Sequence, residues 1–148
     1  MKYTILIPIN NESKTLSKLL TELKPFSINN EVLFIDDGST DSSKAILSKC
    51  THIRVITLNK NYGKGFAIIR GLYNAKYNKI VIIDGDLELK TSQLNDLMLI
   101  NKEKNINFII GSRFKRNTPF KSIWDFGNYF LTKVFNIRNQ TAIPDALS

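Results

Sequence analysis

The stretch KIVIIDGDLE, residues 79–88, joins an apolar run to a cluster of acidic side chains. Four consecutive apolar residues predict a buried β-strand. The run ends abruptly, and Asp84, Asp86 and Glu88 follow within five residues. Because these carboxylates repel one another, the cluster is favourable only where a positive charge meets it. The stretch therefore predicts a core strand with a cation site at its end.

The same alternation of apolar runs and helical patterns extends over the chain. Predicted strands occupy residues 3–8, 31–36, 54–58, 79–84 and 107–112. Predicted helices occupy about residues 13–23, 40–49, 65–75, 91–100 and 122–137. Strands that are apolar throughout and separated by single helices predict the α/β class, with a largely parallel sheet covered on both faces. The length of 148 residues, without a linker or repeat, predicts one domain.

A polar cluster follows each predicted strand. The five clusters are PINNE, DDGSTD, NKNYGKG, DGDLE and GSR. Ligands of parallel α/β sheets bind beyond the carboxyl ends of the strands, whereas ordinary solvated loops would spread polar residues over both edges. The clusters therefore predict a single binding site at one edge of the sheet.

The side chains of these clusters suit a phosphorylated ligand. Asp84 and Asp86, one residue apart on a turn, offer hard oxygen ligands for Mg²⁺ or Mn²⁺. Taken alone the pair favours an ordinary acidic turn, but the other four clusters reverse that preference. The carboxylate of Asp36 or Asp37 can accept hydrogen bonds from a base or a ribose hydroxyl. The planar guanidinium of Arg113 suits a diphosphate. Lys64 precedes a helix start that can face a phosphate.

Two common phosphate-binding motifs are excluded at this loop. Gly63 and Gly65 precede a helix, but Ile68 stands where a dinucleotide-binding fingerprint has its third glycine. The loop also follows the third predicted strand rather than the first. A P-loop needs Ser or Thr directly after Lys64, where this chain has Gly65.

Composition narrows the class of partner and the compartment. The formal net charge of +8 indicates an anionic partner, but the lysines are scattered and the strand-end acids would repel phosphates, so nucleic acid is not expected. The single Cys50 excludes an internal disulfide and fits the cytoplasm. The sequence contains no run of about 18 apolar residues, which is the length needed to span a membrane. The aromatic-rich residues 121–137 are either a core helix or a peripheral membrane contact.

Taken in order, IPINNE, IDDGSTD, LNKNYGKGFAIIRGL, VIIDGDLE and IIGSRF resemble family 2 glycosyltransferases of the GT-A fold. The nearest branch resembles the dolichyl- or polyprenyl-phosphate mannose or glucose synthases, over about residues 3–114. The resemblance implies a three-layer α/β/α sandwich with a mainly parallel sheet. It also implies transfer of a hexose, with inversion, from a GDP- or UDP-sugar to a polyprenyl or dolichyl phosphate or a glycan hydroxyl. Such a Mg²⁺- or Mn²⁺-dependent enzyme serves cell-envelope glycan synthesis, either in the cytoplasm or peripherally at the cytoplasmic face of the membrane.

The resemblance also implies roles for individual residues. The nucleotide sugar is expected to contact Pro8, Asn10, Glu12, Ile35, Asp37, Lys64, Ala67, Arg70, Asp84, Gly85, Asp86 and Arg113. The metal ion is expected at Asp84, Asp86 and Glu88, and the catalytic residues are expected to be Asp86, Arg113 and Asp145. Two positions differ from the usual family pattern, because Asn10 replaces an aromatic residue and Glu88 replaces a common Gln.

The last five residues, PDALS, resemble the first half of a family segment of the form D-x-x-S/T-G-F-[RK], in which Asp145 is the acid. We therefore expect a donor-binding half at about residues 1–114 and an incomplete acceptor half at about 115–148, as in a truncated gene, a fragment or a split protein. One alternative is a nucleotide-sugar-binding remnant without catalysis. Another is a phosphohydrolase of the haloacid dehalogenase type, which usually carries this motif on its first strand and has Thr or Val where Glu88 stands.

Overall fold

The computed structural model describes residues 2–87, 91, 93–99 and 133. The chain divides into two compact units, Met1–Lys104 and Asn105–Ser148. Within the second unit only Lys133 is described, and it is helical and exposed. The predicted strand at residues 107–112 and the rest of the aromatic-rich stretch lie outside the described residues. The fold described below is that of the first unit.

Four strands and four helices alternate along the described residues of this unit. In chain order they are β1 Thr4–Ile9, α1 Ser13–Leu23, a 3₁₀ turn Phe26–Ile28, β2 Glu31–Asp36, α2 Ser43–Leu47, β3 Arg54–Thr57, α3 Lys64–Asn74, β4 Ile80–Ile82 and α4 Gln93–Leu99. The predicted bounds of α1 and β2 are confirmed to the residue. The second helix is shorter than expected, since it begins three residues after Thr40 and ends two before Lys49.

The four strands form one parallel sheet in the order β3-β2-β1-β4. The chain builds outward from β1 to β2 and β3, and α3 then returns it to the other side of β1. The strand order therefore reverses between β1 and β4. In open parallel sheets, a crevice opens at this switch point beyond the carboxyl ends of the strands. The α/β class and the parallel sheet predicted from the sequence are confirmed.

Helices cover both faces of the sheet, because successive strand residues alternate between the faces. One core joins the α1 leucines to one side of β1 and β2; its fully buried members include Ile5, Ile7, Leu16, Leu19 and Phe34. The opposite core joins α3 to the other side, with Leu6, Leu33, Ile35 and Ala67 all fully buried. The apolar runs of β1 and β2 are thus explained by burial on both sides. The run at β4 was predicted to be a core strand, but only Val81 of Ile80–Ile82 is buried and Ile82 is 44% exposed, because β4 pairs only with β1 among the described strands.

Helix α3 lies unusually close to the sheet at Gly71. A Cβ atom added there would lie 2.3 Å from Leu6 Cδ1 and 3.1 Å from Ile35 Cγ1. Ordinary carbon contacts are about 3.5–4.0 Å. This close approach fixes the distance of α3 from the sheet. The N-terminal end of α3 lies near the carboxyl ends of the strands.

At the N-terminal ends of the strands, Glu31 accepts several hydrogen bonds, and its side chain is only 8% exposed. Its carboxylate accepts from Thr4 Oγ1 at 2.6 Å, from Lys76 N at 2.6 Å and from Arg54 Nη1 at 3.1 Å. Arg54 also donates to the Asn74 carbonyl at 2.6 Å. Burial raises the pKa of Glu31, but these hydrogen bonds outweigh burial and lower the pKa below its ordinary value of 4.5.

Candidate active site

A cavity of about 280 Å³ opens at the carboxyl ends of β1, β2 and β4. It lies at the switch point where the strand order reverses. Its lining consists of residues from the strand ends and from the loop that leads into α3: Pro8, Ile9, Asn10, Glu12, Asp37, Asn61, Gly63, Lys64, Asp84, Gly85 and Asp86. Four of the five predicted polar clusters contribute to this lining, as the single-edge prediction requires.

The turn after β4 brings two aspartates to the cavity. Gly85 is buried between them, and a Cβ there would lie 2.6 Å from Ile9 Cγ2, so a larger residue would displace the turn. The Thr15 hydroxyl donates to the Gly85 carbonyl at 3.0 Å, which ties the turn to α1. With Gly85 held against Ile9, Asp84 and Asp86 both line the cavity.

Asp37 anchors the loop that precedes α3. Its carboxylate is 3% exposed and accepts from Tyr62 N at 2.9 Å and from Gly63 N at 2.8 Å, one bond on each oxygen. Gly63 has φ +92°, a conformation that glycine adopts without a steric penalty. A carboxylate has about four acceptor positions, so Asp37 retains capacity for a further donor from the cavity.

The loops after β1 and β2 are joined to each other. Asn11, at φ 60°, accepts on Oδ1 from Thr40 N at 2.8 Å and from Asp41 N at 3.2 Å. Asn10 Nδ2 donates to the Asp37 carbonyl at 2.6 Å. These contacts make one wall of the cavity from two separate loops.

Asp41 adds a second connection between these loops by capping two helices. Its carboxylate accepts from Ser43 N at 2.9 Å and from Ser13 N at 3.0 Å, at the first residues of α2 and α1. Hydrogen bonds from Ser43 and then Ser13 hold the pKa of Asp41 well below its ordinary value. The sequence predicted Thr40 or Asp41 as a cap for α2 alone, whereas Asp41 accepts from the first backbone amide of both α2 and α1.

One aspartate of the turn after β4 forms an ion pair with a lysine. Lys64 Nζ lies 2.6 Å from Asp84 Oδ1. Within residues 2–87 and the described part of 91–99, no group of three or more His, Cys, Asp or Glu side chains could hold a metal ion. Glu88, the predicted third ligand, lies outside the described residues. Asp84, which already holds a positive charge, and the neighbouring Asp86 have the carboxylate oxygens that Mg²⁺ or Mn²⁺ prefers.

The structure separates the predicted site residues into three groups. Eight line the cavity: Pro8, Asn10, Glu12, Asp37, Lys64, Asp84, Gly85 and Asp86. Ile35 and Ala67 are fully buried in the core beneath α3, and Arg70 is exposed on that helix; none of the three lines the cavity. Glu88, Arg113 and Asp145 lie outside the described residues. The functional role of each remains a prediction.

Three lining residues were not predicted: Ile9, Asn61 and Gly63. Gly63 and Asn61 belong to the polar cluster after β3, so their position in that cluster was an available signal. Ile9 is 3% exposed and continues an apolar strand, so nothing in its residue type distinguishes it from a core residue.

The fold and the cavity define an α/β protein with a polar, carboxylate-containing ligand site at the strand switch point. A family model described as Glycosyl transferase family 2 matches residues 4–147. The chain therefore belongs to family 2 of the glycosyltransferases.

Relatives of known description agree with this assignment. The undecaprenyl-phosphate 4-deoxy-4-formamido-L-arabinose transferase of Salmonella choleraesuis (strain SC-B67) is 36% identical over 96 residues, covering 59% of this chain and 29% of the relative. The protein of that description from Sodalis glossinidius is 33% identical over 96 residues, with the same coverage. The chain thus spans under a third of the length of these relatives.

Solved structures confirm the GT-A fold. S. aureus TarS 1-349 in complex with UDP has a TM-score of 0.59 and 26% identity, covering 67% of this chain and 31% of that one. Its complex with UDP-GlcNAc gives 0.58 at 26% identity, with coverages of 67% and 30%. M. tuberculosis glucosyl-3-phosphoglycerate synthase gives 0.50 at 28% identity, with coverages of 58% and 35%.

None of the helices among the described residues is both long enough and apolar enough to cross a bilayer.

Proposed function

We propose that this chain provides the donor site of a metal-dependent, inverting glycosyltransferase that transfers a sugar from a UDP-sugar to a polyprenyl phosphate. The observation that carries the proposal is the cavity at the strand switch point, whose lining includes the Lys64–Asp84 ion pair together with Asp86, Asn10 and Asp37. Two acids and a cation suit a metal–diphosphate group, and the polar groups of Asn10 and Asp37 suit a nucleoside.

The choice of donor base is supported by relatives rather than by a contact in this chain. TarS has been solved with UDP and with UDP-GlcNAc. Asp37 has spare acceptor capacity that suits the imide N–H of uracil or a ribose hydroxyl. Guanine also carries N–H donors, so the preference for UDP over GDP rests on the TarS complexes. The sugar is either a hexose, as the lipid-phosphate branch implies, or an amino-arabinose derivative, as named for the Salmonella choleraesuis relative.

The residues that would hold the metal ion are Asp84 and Asp86, with Glu88 as a third contact. The fit rests on the carboxylate donors and on the positive charge that Lys64 already places against Asp84. When bound, Mg²⁺ or Mn²⁺ supplies positive charge to the leaving diphosphate. Lys64 and Arg113 add to this stabilisation, which is the main electrostatic task in breaking the sugar–phosphate bond.

The reaction is a single displacement at the anomeric carbon. An acceptor oxygen forms a bond to the anomeric carbon while the bond between that carbon and the diphosphate oxygen breaks. The configuration at the carbon therefore inverts. A polyprenyl phosphate acceptor is already anionic near neutral pH and needs no strong base. A glycan hydroxyl would need a carboxylate to take its proton, and Asp145 is the candidate.

The acceptor is supported by the relatives named for undecaprenyl phosphate. Such a lipid resides in a membrane, so we propose that the protein works peripherally at the cytoplasmic face. Anionic membranes attract basic proteins, and the net charge of +8 is compatible with that attraction.

Calorimetry with UDP and GDP, each with and without Mn²⁺, tests the donor site. We expect UDP to bind in the presence of Mn²⁺, and Asp86→Asn to weaken that binding at least tenfold, which corresponds to about 1.4 kcal/mol. Glu22→Gln, an acidic residue of α1 that is not part of the cavity lining, is the matched control and should bind UDP as the unaltered chain does. Absence of nucleotide binding under every condition would refute the donor site.

Transfer is tested separately, with labelled UDP-sugars and undecaprenyl phosphate presented in anionic liposomes. Sugar on the lipid supports the complete proposal. Nucleotide binding without transfer to the lipid or to a glycan would instead support the nucleotide-sugar-binding alternative.

A further inference from the structure

The ion pair between Lys64 and Asp84 connects two separate elements at the mouth of the cavity. Lys64 is the first residue of α3, and Asp84 lies just beyond the end of β4. The Nζ–Oδ1 distance is 2.6 Å, which is short for a charge-assisted hydrogen bond. Both side chains also line the cavity. The ammonium therefore holds a carboxylate that the proposed function assigns to a metal ion.

An ammonium group and a divalent cation compete for this position. Both are attracted to Asp84, and they repel each other when they share one carboxylate. The Lys64 side chain is 54% exposed and that of Asp84 is 30% exposed, so neither is locked in the core. A divalent ion that approaches Asp84 and Asp86 must first displace the ammonium or bind against its repulsion.

The backbone beneath Lys64 is fixed, while its surroundings leave room for the side chain. Asp37 holds the amides of Tyr62 and Gly63, immediately before Lys64. The Lys64 side chain is itself 54% exposed and lines the cavity of about 280 Å³. The lysine stem has four rotatable carbons. The ammonium can therefore move across the cavity without any movement of α3.

We propose that Lys64 is an exchangeable counter-ion, which neutralises Asp84 in the empty site and moves to the donor diphosphate when a metal ion takes its place. The exchange presupposes the donor and metal site proposed above. The diphosphate provides the negative charge that receives the displaced ammonium. Metal ion and nucleotide therefore bind with positive coupling, because each removes an obstacle to the other.

The test is a binding cycle in which Mn²⁺ affinity is measured by electron paramagnetic resonance, with and without saturating UDP. For the unaltered chain we expect weak binding of free Mn²⁺ and an increase of roughly tenfold or more with UDP, within the usual range of coupling between ligands. For Lys64→Met we expect free Mn²⁺ to bind several-fold more tightly, and UDP to increase that affinity far less. Lys64→Arg, which keeps the positive charge, should retain the weak binding of free Mn²⁺.

Lys60→Met is the matched control, because Lys60 belongs to the same loop but places its ammonium 5.1 Å from the centre of the Tyr62 ring and does not line the cavity. It should give the coupling of the unaltered chain. If Lys64→Met leaves both the free Mn²⁺ affinity and the coupling unchanged while UDP still binds, the exchange is refuted and the donor site stands. If the unaltered chain binds no UDP with or without Mn²⁺, both proposals fail.

Discussion

Replacing Gly71 by alanine tests how closely α3 must approach the sheet. The added Cβ would lie 2.3 Å from Leu6 Cδ1 and 2.8 Å from Leu6 Cγ. Leu6 is fully buried and cannot turn away into solvent. Overpacking a core costs about 1–3 kcal/mol, and the severity of this overlap favours the upper end. Alanine is more favourable than glycine within a helix by about 1 kcal/mol, which offsets part of this cost. We therefore expect Gly71→Ala to destabilise the fold by about 2 kcal/mol.

Gly65 provides the matched control within the same helix. A Cβ at this position meets no atom within 4 Å, so Gly65→Ala should stabilise the fold by about 0.5–1 kcal/mol. Urea unfolding followed by circular dichroism measures both variants, and they should differ by about 3 kcal/mol. If Gly71→Ala is as stable as Gly65→Ala, the close approach of α3 is wrong. In a Leu6→Ala background, which removes the overlapping atoms, Gly71→Ala should lose most of its cost.

Two further predictions concern Glu31 and Asp37. The folded state lowers the pKa of Glu31, so its stabilising contribution is complete above its ordinary pKa of 4.5 and is lost as the pH falls below that value. Glu31→Gln should therefore cost about 1–2 kcal/mol in urea unfolding at neutral pH and approach zero cost near pH 3; a cost that grows on acidification would contradict this. Asp37→Asn replaces one acceptor with a donor and should speed amide hydrogen exchange at Tyr62 or Gly63 at least tenfold, whereas amides of β1 should exchange as before. Unchanged exchange at both loop amides would refute the anchoring role of Asp37.

The elements that the sequence predicts best are those whose burial repeats along the chain. Leu16, Leu19, Leu20 and Leu23 are all buried on one side of α1, and helical spacing alone indicates them. The all-apolar runs of β1 and β2 indicate strands buried on both faces, which also indicates a parallel sheet. The single-edge cavity follows from that sheet, because parallel strands end together.

What the sequence could not indicate depends on contacts between distant residues. Asp41 caps α1 as well as α2, but Ser13 lies 28 residues away and no local pattern connects the two. The family motif treats Ala67 and Arg70 alike, whereas the structure buries one in the core and exposes the other. The ion pair between Lys64 and Asp84 likewise requires α3 and β4 to be placed in space first.

The hydrogen bonds that Asn11 Oδ1 accepts from the backbone N–H groups of Thr40 and Asp41 affect the thermodynamics of ligand recognition. A loop that becomes ordered only on binding loses conformational entropy, and this loss weakens the affinity. Here the two loops that form one wall of the cavity already hold each other before any ligand arrives. The ordering cost on that side is met during folding. Under the proposed function, recognition of a nucleoside by these loops would therefore depend on shape and hydrogen bonding rather than on loop closure.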